Sequence, residues 1–101
     1  MPRISAKSAL MRLRLYIAGS APNSVRAVVN ARAICEQHFP SAYELEVVDL
    51  LDSPERALAD GIIVTPTLLK LAPRPTQRII GNLSDTEQVL MALVGTDRRH
   101  E

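Results

Sequence analysis

An α/β domain with the element order βαβαββα is what this sequence predicts, and three observations carry that expectation. Two segments, residues 12–17 and 43–50, alternate apolar and polar side chains, as strands half buried in a sheet do. Between them runs a longer segment whose apolar residues recur at helical spacing. A proline-punctuated pair of short β-rich segments and a capped apolar run close the chain.

Residues 1 to about 10 lack any periodicity and read as a flexible arm. Met11 is an alternative start that leaves the folded part untouched. In the first strand Arg12, Arg14 and Tyr16 alternate with Leu13, Leu15 and Ile17. Ala18-Gly19-Ser20-Ala21-Pro22-Asn23 breaks the alternation with turn formers. Asn23 or Ser24 is then suited to cap a helix reaching about His38. Val25, Val28, Ala31, Cys35 and Phe39 form its apolar side, and Arg26, Asn30, Ala33 and Gln37 lie on another. Pro40 and Ser41 end it.

The second strand sets Tyr43, Leu45 and Val47 against Glu44, Glu46 and Val48. Ser53-Pro54-Glu55 opens a helix with a capping residue, a proline in its first turn and an acid, and Gly61 stops it. Residues 62–71 are β-rich around Thr65-Pro66-Thr67. Pro73-Arg74-Pro75 is a rigid turn, and residues 77–80 form a short strand after it. Ser84-Asp85-Thr86-Glu87 reads as a capping box ahead of Val89, Leu90, Leu93 and Val94, with Gly95 as the stop. The folded domain is thus expected over residues 11–95, with a charged, frayed tail at 96–101. A βαβ crossover followed by an antiparallel hairpin and a terminal helix is the thioredoxin-like arrangement. Right-handed crossover packing makes its first two strands parallel.

Composition excludes several functions. The 101 residues suffice for one domain with one modest core. An apolar fraction of 47% against 23% charged is that of a globular chain. Twelve basic and eleven acidic residues leave a net charge of +1, which argues against gripping nucleic acid or an anionic membrane through bulk charge. No apolar run reaches the roughly 18 residues of a membrane span. The first ten residues have no apolar core of a secretory signal. A single cysteine, Cys35, forms no internal disulfide, so the expected location is the cytoplasm. Tyr16, Phe39 and Tyr43 are the only aromatic residues, too few for stacking platforms.

A thioredoxin-like plan raises dithiol chemistry first. That chemistry needs two cysteines, one at the start of the first helix. The corresponding stretch is Ala21-Pro22-Asn23-Ser24, without sulfur, and Cys35 falls on the apolar side of the helix as an inert core residue. Pro66, at the start of the third strand, is a candidate cis proline. It reads either as a structural turn or as a place where a peptide backbone or a small ligand such as glutathione pairs. His38 and His100 lie far apart with no bracketing Cys or acid, so no metal site is expected. No cofactor-binding motif is present. Glu44 and Glu46 share a strand face, which makes them surface residues rather than a catalytic pair, and Ser24 has no visible base. No enzymatic activity is expected. Arg26, Arg32, Lys70, Arg74 and Arg78 are scattered, and by themselves read as solvated charge.

Leu15-Tyr16-Ile17-Ala18-Gly19, followed by Pro22-Asn23-Ser24-Val25-Arg26-Ala27, resembles the KaiB family of circadian-clock proteins. The resemblance continues through Val47-Val48-Asp49-Leu50 and Thr65-Pro66-Thr67-Leu68. It ends with Arg78-Ile79-Ile80-Gly81-Asn82-Leu83-Ser84 and Glu87-Gln88-Val89-Leu90, in register over about residues 13–93. The resemblance implies a non-enzymatic adaptor without cofactor. It would bind the N-terminal ring of the hexameric ATPase KaiC, recruit KaiA and displace an output kinase. It also implies two folds for one sequence, a tetrameric ground state and a thioredoxin-like monomer that binds the ATPase. Arg26, Lys70 and Arg78 would stand near the contact.

The chain departs from the clock-type pattern in three places. Ala92-Leu93-Val94 stands where those members tend to read Gly-Leu-Asp. Alanine for a mid-helix glycine favours the last helix by roughly 0.8–1.0 kcal/mol, a roughly fivefold shift in a two-state ratio. Glu46 and Gly61 replace two lysines typical of the partner surface, whereas Arg26 and Arg78 match. The acidic C-terminal extension is absent, since the chain stops at Glu101. These departures point to a divergent paralogue that favours the monomer, with a tetramer or dimer as the alternative. A stress-related or sensory binding module is the alternative role, since relatives outside the core clock are linked to stress adaptation and the kinase carries a similar sensor domain.

Overall fold

The computed structural model describes residues 10–95. The expected tail at 96–101, and the expected arm apart from Leu10, lie outside the described residues. In chain order the elements are β1 (Met11–Ile17), α1 (Pro22–His38), β2 (Tyr43–Asp49), α2 (Glu55–Asp60), β3 (Thr67–Ala72), β4 (Gln77–Ile80) and α3 (Thr86–Val94). The order βαβαββα is therefore observed. The four strands lie in one sheet in the order β2-β1-β3-β4. β2 runs parallel to β1, with Leu13 opposite Leu45, as the crossover requires. β3 pairs antiparallel with β1 and β4 antiparallel with β3.

Side-chain alternation divides the interior. Met11, Leu13, Leu15 and Leu68 point to one face, where Ala27, Ala31, Ile34 and Cys35 of α1 and Val89 and Leu93 of α3 complete the main core. A smaller cluster of Tyr16, Val48 and Ile62 occupies the opposite face, on the side of α2. Among the described residues no helix is long and apolar enough to cross a membrane.

Four local expectations are corrected. α1 begins at Pro22 with Ala21 at its cap, and neither Asn23 nor Ser24 caps it. Proline at the first turn has no N–H to satisfy. Ser24 is buried instead, and its Oγ accepts the Ala18 N–H at 3.1 Å. The helix is consequently rotated so that Ser24, Ala27, Ala31, Ile34 and Cys35 face inward and Val25 stands 48% exposed. α2 likewise starts without a Ser53 side-chain cap, with Pro54 in the capping position. Residues 62–66 are loop rather than strand, because Pro66 offers no N–H to a ladder and pairing starts at Thr67. At α3 Asp85 is the cap, its Oδ1 accepting the Gln88 N–H at 3.1 Å. Ser84 is engaged elsewhere, its N–H donating to Asn82 Oδ1 at 3.0 Å.

Candidate partner-binding surface

The residues expected at a partner contact do not form one cluster. Arg26 is exposed on α1. Arg78 lies on β4 opposite Leu69, on the face away from α1 and α3, and its side chain is accessible. Lys70 points the other way, with Leu13 and Gln77 as its strand neighbours, and is only 2% exposed. Its side chain is therefore largely covered while those of Arg26 and Arg78 are accessible, although Lys70 and Arg78 both border a groove along the β3–β4 hairpin. Among the described residues Lys70 Nζ has no hydrogen-bond or carboxylate partner, and none of their sealed side-chain polar atoms is left unsatisfied. Desolvation by burial lowers the Lys70 pKa.

Arg78 is positioned by a local contact. Its Nη1 donates to the carbonyl oxygen of Gly61 at 2.9 Å, so the guanidinium sits at the C-terminal end of α2, where a cation is favoured. The segments next to this contact carry exposed apolar side chains: Leu58 of α2 at 89%, Ile63 at 92% and Val64 at 44% in the loop after it, and Ile80 at 62%, two residues beyond Arg78 on β4. β4 carries Ile80, and Thr67 on the adjacent strand donates through Oγ1 to Val64 O at 2.7 Å, which holds that loop beside the strand. A shallow groove of about 440 Å³ runs along the β3–β4 hairpin, lined by Leu69, Lys70, Leu71, Thr76, Gln77 and Arg78, with no carboxylate among them. Sequence reasoning found Arg78 but missed the exposed apolar residues, because residues 62–71 read as a β-rich segment. Of Ile62, Ile63 and Val64, only Ile62 is buried.

Glu44 and Glu46 of β2 are paired with arginines. Glu44 accepts from Arg12 Nε at 3.2 Å and Glu46 from Arg14 Nε at 2.7 Å. Both are surface residues, as alternation required. Arg56 of α2 stands 3.7 Å from Glu46 and 3.7 Å from Asp60, and Arg14 reaches Asp60 at 3.8 Å. Tyr16 is fully buried and its hydroxyl donates to Asp60 Oδ2. Burial, and then that hydrogen bond, raise the Tyr16 pKa.

The Thr65–Pro66 bond is cis, as are Ala72–Pro73 and Arg74–Pro75. Pro66 is buried, and its carbonyl accepts the Gly81 N–H at 3.0 Å. That carbonyl is therefore already engaged within the fold. Cys35 is 1% exposed, and burial pushes its thiol up to about 11, with Glu36 adding to the shift. A thiol held protonated at neutral pH is a poor nucleophile.

Residues 14–94 match the model of the KaiB domain family. A circadian clock oscillator protein KaiB of Nostoc punctiforme is 52% identical over 81 residues, which cover 80% of this chain and 78% of that protein. One from Trichodesmium erythraeum is 51% identical over 81 residues, again covering 80% and 78%. Among solved structures, the N-terminal domain of Synechococcus elongatus SasA superposes with a TM-score of 0.70 at 25% identity, covering 88% of each chain. Fasciola hepatica thioredoxin superposes with a TM-score of 0.69 over 98% of this chain and 88% of its own, at 14% identity, a likeness of fold alone.

Proposed function

The chain belongs to the KaiB family, a family of circadian clock oscillator proteins rather than enzymes, and on that premise we propose that it is an adaptor that docks on a KaiC-type ATPase and modulates clock or signalling output. The observation that carries this reading is the set of exposed apolar side chains on the segments that Arg78 joins: Ile80 on its own strand, and Leu58, Ile63 and Val64 on either side of Gly61, whose carbonyl it holds. Exposed apolar side chains ringed by polar ones suit a protein contact, and a centred arginine is the residue type most often found to anchor one. The groove beside Arg78 contains no carboxylate, so it suits an acidic side chain of the partner. Arg26 on α1 is proposed as a second, peripheral contact. Lys70, which is 2% exposed but borders that groove, is proposed to contribute at its floor rather than at the outer surface. We propose the thioredoxin-like monomer as the binding-competent state, within a domain spanning residues 11–95, and a cytoplasmic location.

Light-scattering chromatography of the chain, alone and mixed with a KaiC-type ATPase in nucleotide, tests this reading. The expected result is a monomer that shifts into the ATPase peak. A monomer that stays behind at tens of micromolar rejects that partner. One observation favours a second reading, a sensory or stress-related module: Glu46, at a position where the resemblance implies a lysine, is held between Arg14 and Arg56. A partner that needs a cation at that point is not served. Under this reading, a module that does not act in the core oscillator, the ATPase does not retain the chain in the same experiment, and the partner is another protein or a small ligand near Pro66.

A further inference from the structure

α2 is anchored differently from the other helices. None of its residues is buried, and Leu58 is almost wholly exposed. Ala57 alone packs in part against the cluster of Tyr16, Val48 and Ile62. α1 and α3, by contrast, each place buried apolar residues in the main core. What holds α2 is charge. Asp60 meets the Tyr16 hydroxyl and Arg14 from β1 and Arg56 from its own helix, while Glu46 of β2 meets Arg14 and Arg56. At the end of the helix Arg78 holds the carbonyl of Gly61. The side chains of these ion pairs are between 23% and 50% exposed, so water and salt reach them.

We propose that α2 is an ion-latched lid over the Tyr16–Val48 floor, opening as a unit while the four-stranded sheet and the main core stay closed. Pairs between partly exposed charges weaken with ionic strength, because the Debye length falls from about 10 Å at 0.1 M to about 3 Å at 1 M. Apolar burial carries no such screening. Added salt therefore separates the two kinds of anchor within one molecule. Elements with few buried apolar contacts are those that open below the global unfolding free energy. The latch depends on this chain's charges. Glu46 is the carboxylate shared by Arg14 and Arg56, and a cation there faces two arginines. The lid stands or falls independently of which partner the outer surface takes.

Native-state hydrogen exchange on the full chain at neutral pH tests the lid. The amides of Arg56 to Ile62 are expected to exchange at least about tenfold faster than those of Leu15 and Tyr16. Raising sodium chloride from about 0.05 M to about 0.5 M should accelerate them a further several-fold and leave β1 unchanged. Glu46→Gln should accelerate the same amides at low salt, Glu46→Lys more so, and Leu58→Ala on the exposed side should alter neither set. Lid amides that exchange at the global unfolding rate, or that ignore both salt and Glu46→Gln, overturn the proposal. Should the Glu46 variants fail to fold, the salt series on the unaltered chain decides it.

Discussion

Arg78 Nη1 donates a 2.9 Å hydrogen bond to the carbonyl oxygen of Gly61, and Gly61 ends α2 in the left-handed region at a φ of 68°. The two residues lie 17 positions apart, on β4 and at the end of a helix on the same side of the sheet. Their contact fixes the loop that presents Ile63 and Val64. In that conformation the Gly61 N–H is satisfied by the carbonyls of Ala57 and Leu58.

A side chain at position 61 is consequently expected to cost stability through backbone strain. A Cβ built there meets only Arg78 Nη2, at 3.9 Å, so there is space and no clash. Gly61→Ala should lower the unfolding free energy by about 1–2 kcal/mol, and Gly61→Asn by less, since asparagine tolerates the left-handed region. Urea denaturation of both measures this. Equal stability of Gly61→Ala and the parent chain would contradict the left-handed cap.

Replacing Asp85 and Ser84 separately distinguishes the observed cap of α3 from the capping box read in the sequence. Asp85→Ala removes the acceptor of the Gln88 N–H and should cost about 1 kcal/mol. Ser84→Ala leaves that bond intact, and its effect should stay within about 0.5 kcal/mol. Thermal unfolding with the order of the two reversed would restore Ser84 as the cap.

Alkaline pH should destabilise the fold in a defined window. Cys35 titrates near 11 when folded against an ordinary 9.0, so between those values the unfolded chain binds fewer protons than the folded one. Stability then falls as pH rises. The loss is at most about 2–3 kcal/mol from this residue. Tyr16, whose pKa is raised by burial and by Asp60, extends the loss above pH 10. Urea denaturation at a series of pH values from 8 to 11 should show this decline, and Cys35→Ala should flatten its first part. A flat profile in the parent chain counts against the burial of both groups.

Lys70 has the opposite sign. Its folded pKa is lowered by desolvation, so below that value the folded state carries an unfavourable buried charge. Lys70→Met keeps the length of the side chain and should stabilise the protein by about 1 kcal/mol at neutral pH. The gain should shrink as pH rises toward 10.5, where the unfolded lysine also loses its proton. Destabilisation by Lys70→Met at neutral pH would show that the ammonium has a favourable partner.

Much of this fold was legible because strand periodicity is stiff. The alternation of Leu13 and Leu15 with Arg12 and Arg14 specified both the strand and the face that would be buried. Helix caps were less legible. Ser, Asn and Asp at adjacent positions, such as Ser84 and Asp85, are near-equal candidates, and the chain's path into the helix chooses among them. At α1 Pro22 did away with the need for a side-chain cap and freed Ser24 to be buried. The site was legible only as single charges. Lys70 reads as a surface cation in sequence, yet it follows the period of Leu68 into the interior face. Apart from the i,i+4 pair of Arg56 and Asp60, the network of Tyr16, Asp60, Arg14, Glu46 and Arg56 joins three elements distant in sequence, which no local pattern records.

Charge reversal at Arg78 should weaken partner binding more than reversal at Arg26. Arg78 ties β4, with exposed Ile80, to the end of α2, which is flanked by exposed Leu58, Ile63 and Val64, and there a docking partner would exclude water and an arginine would count most. Arg26 stands on α1, on the other side of the sheet, and a peripheral charge acts mainly on the association rate. Arg78→Glu is therefore expected to raise the dissociation constant for a KaiC-type ATPase at least about tenfold, roughly 1.4 kcal/mol. Arg26→Glu should lower the association rate and steepen no other step. Arg78→Gln keeps a donor for Gly61 O while removing the charge, so it separates lost attraction from a displaced loop. Arg32→Glu, on a different side of α1, serves as the charge-matched control. Surface-immobilised binding kinetics across salt concentrations provide the readout. Unaltered binding of Arg78→Glu would remove Arg78 from the contact, and equal losses for Arg32→Glu and Arg78→Glu would reduce the effect to net charge.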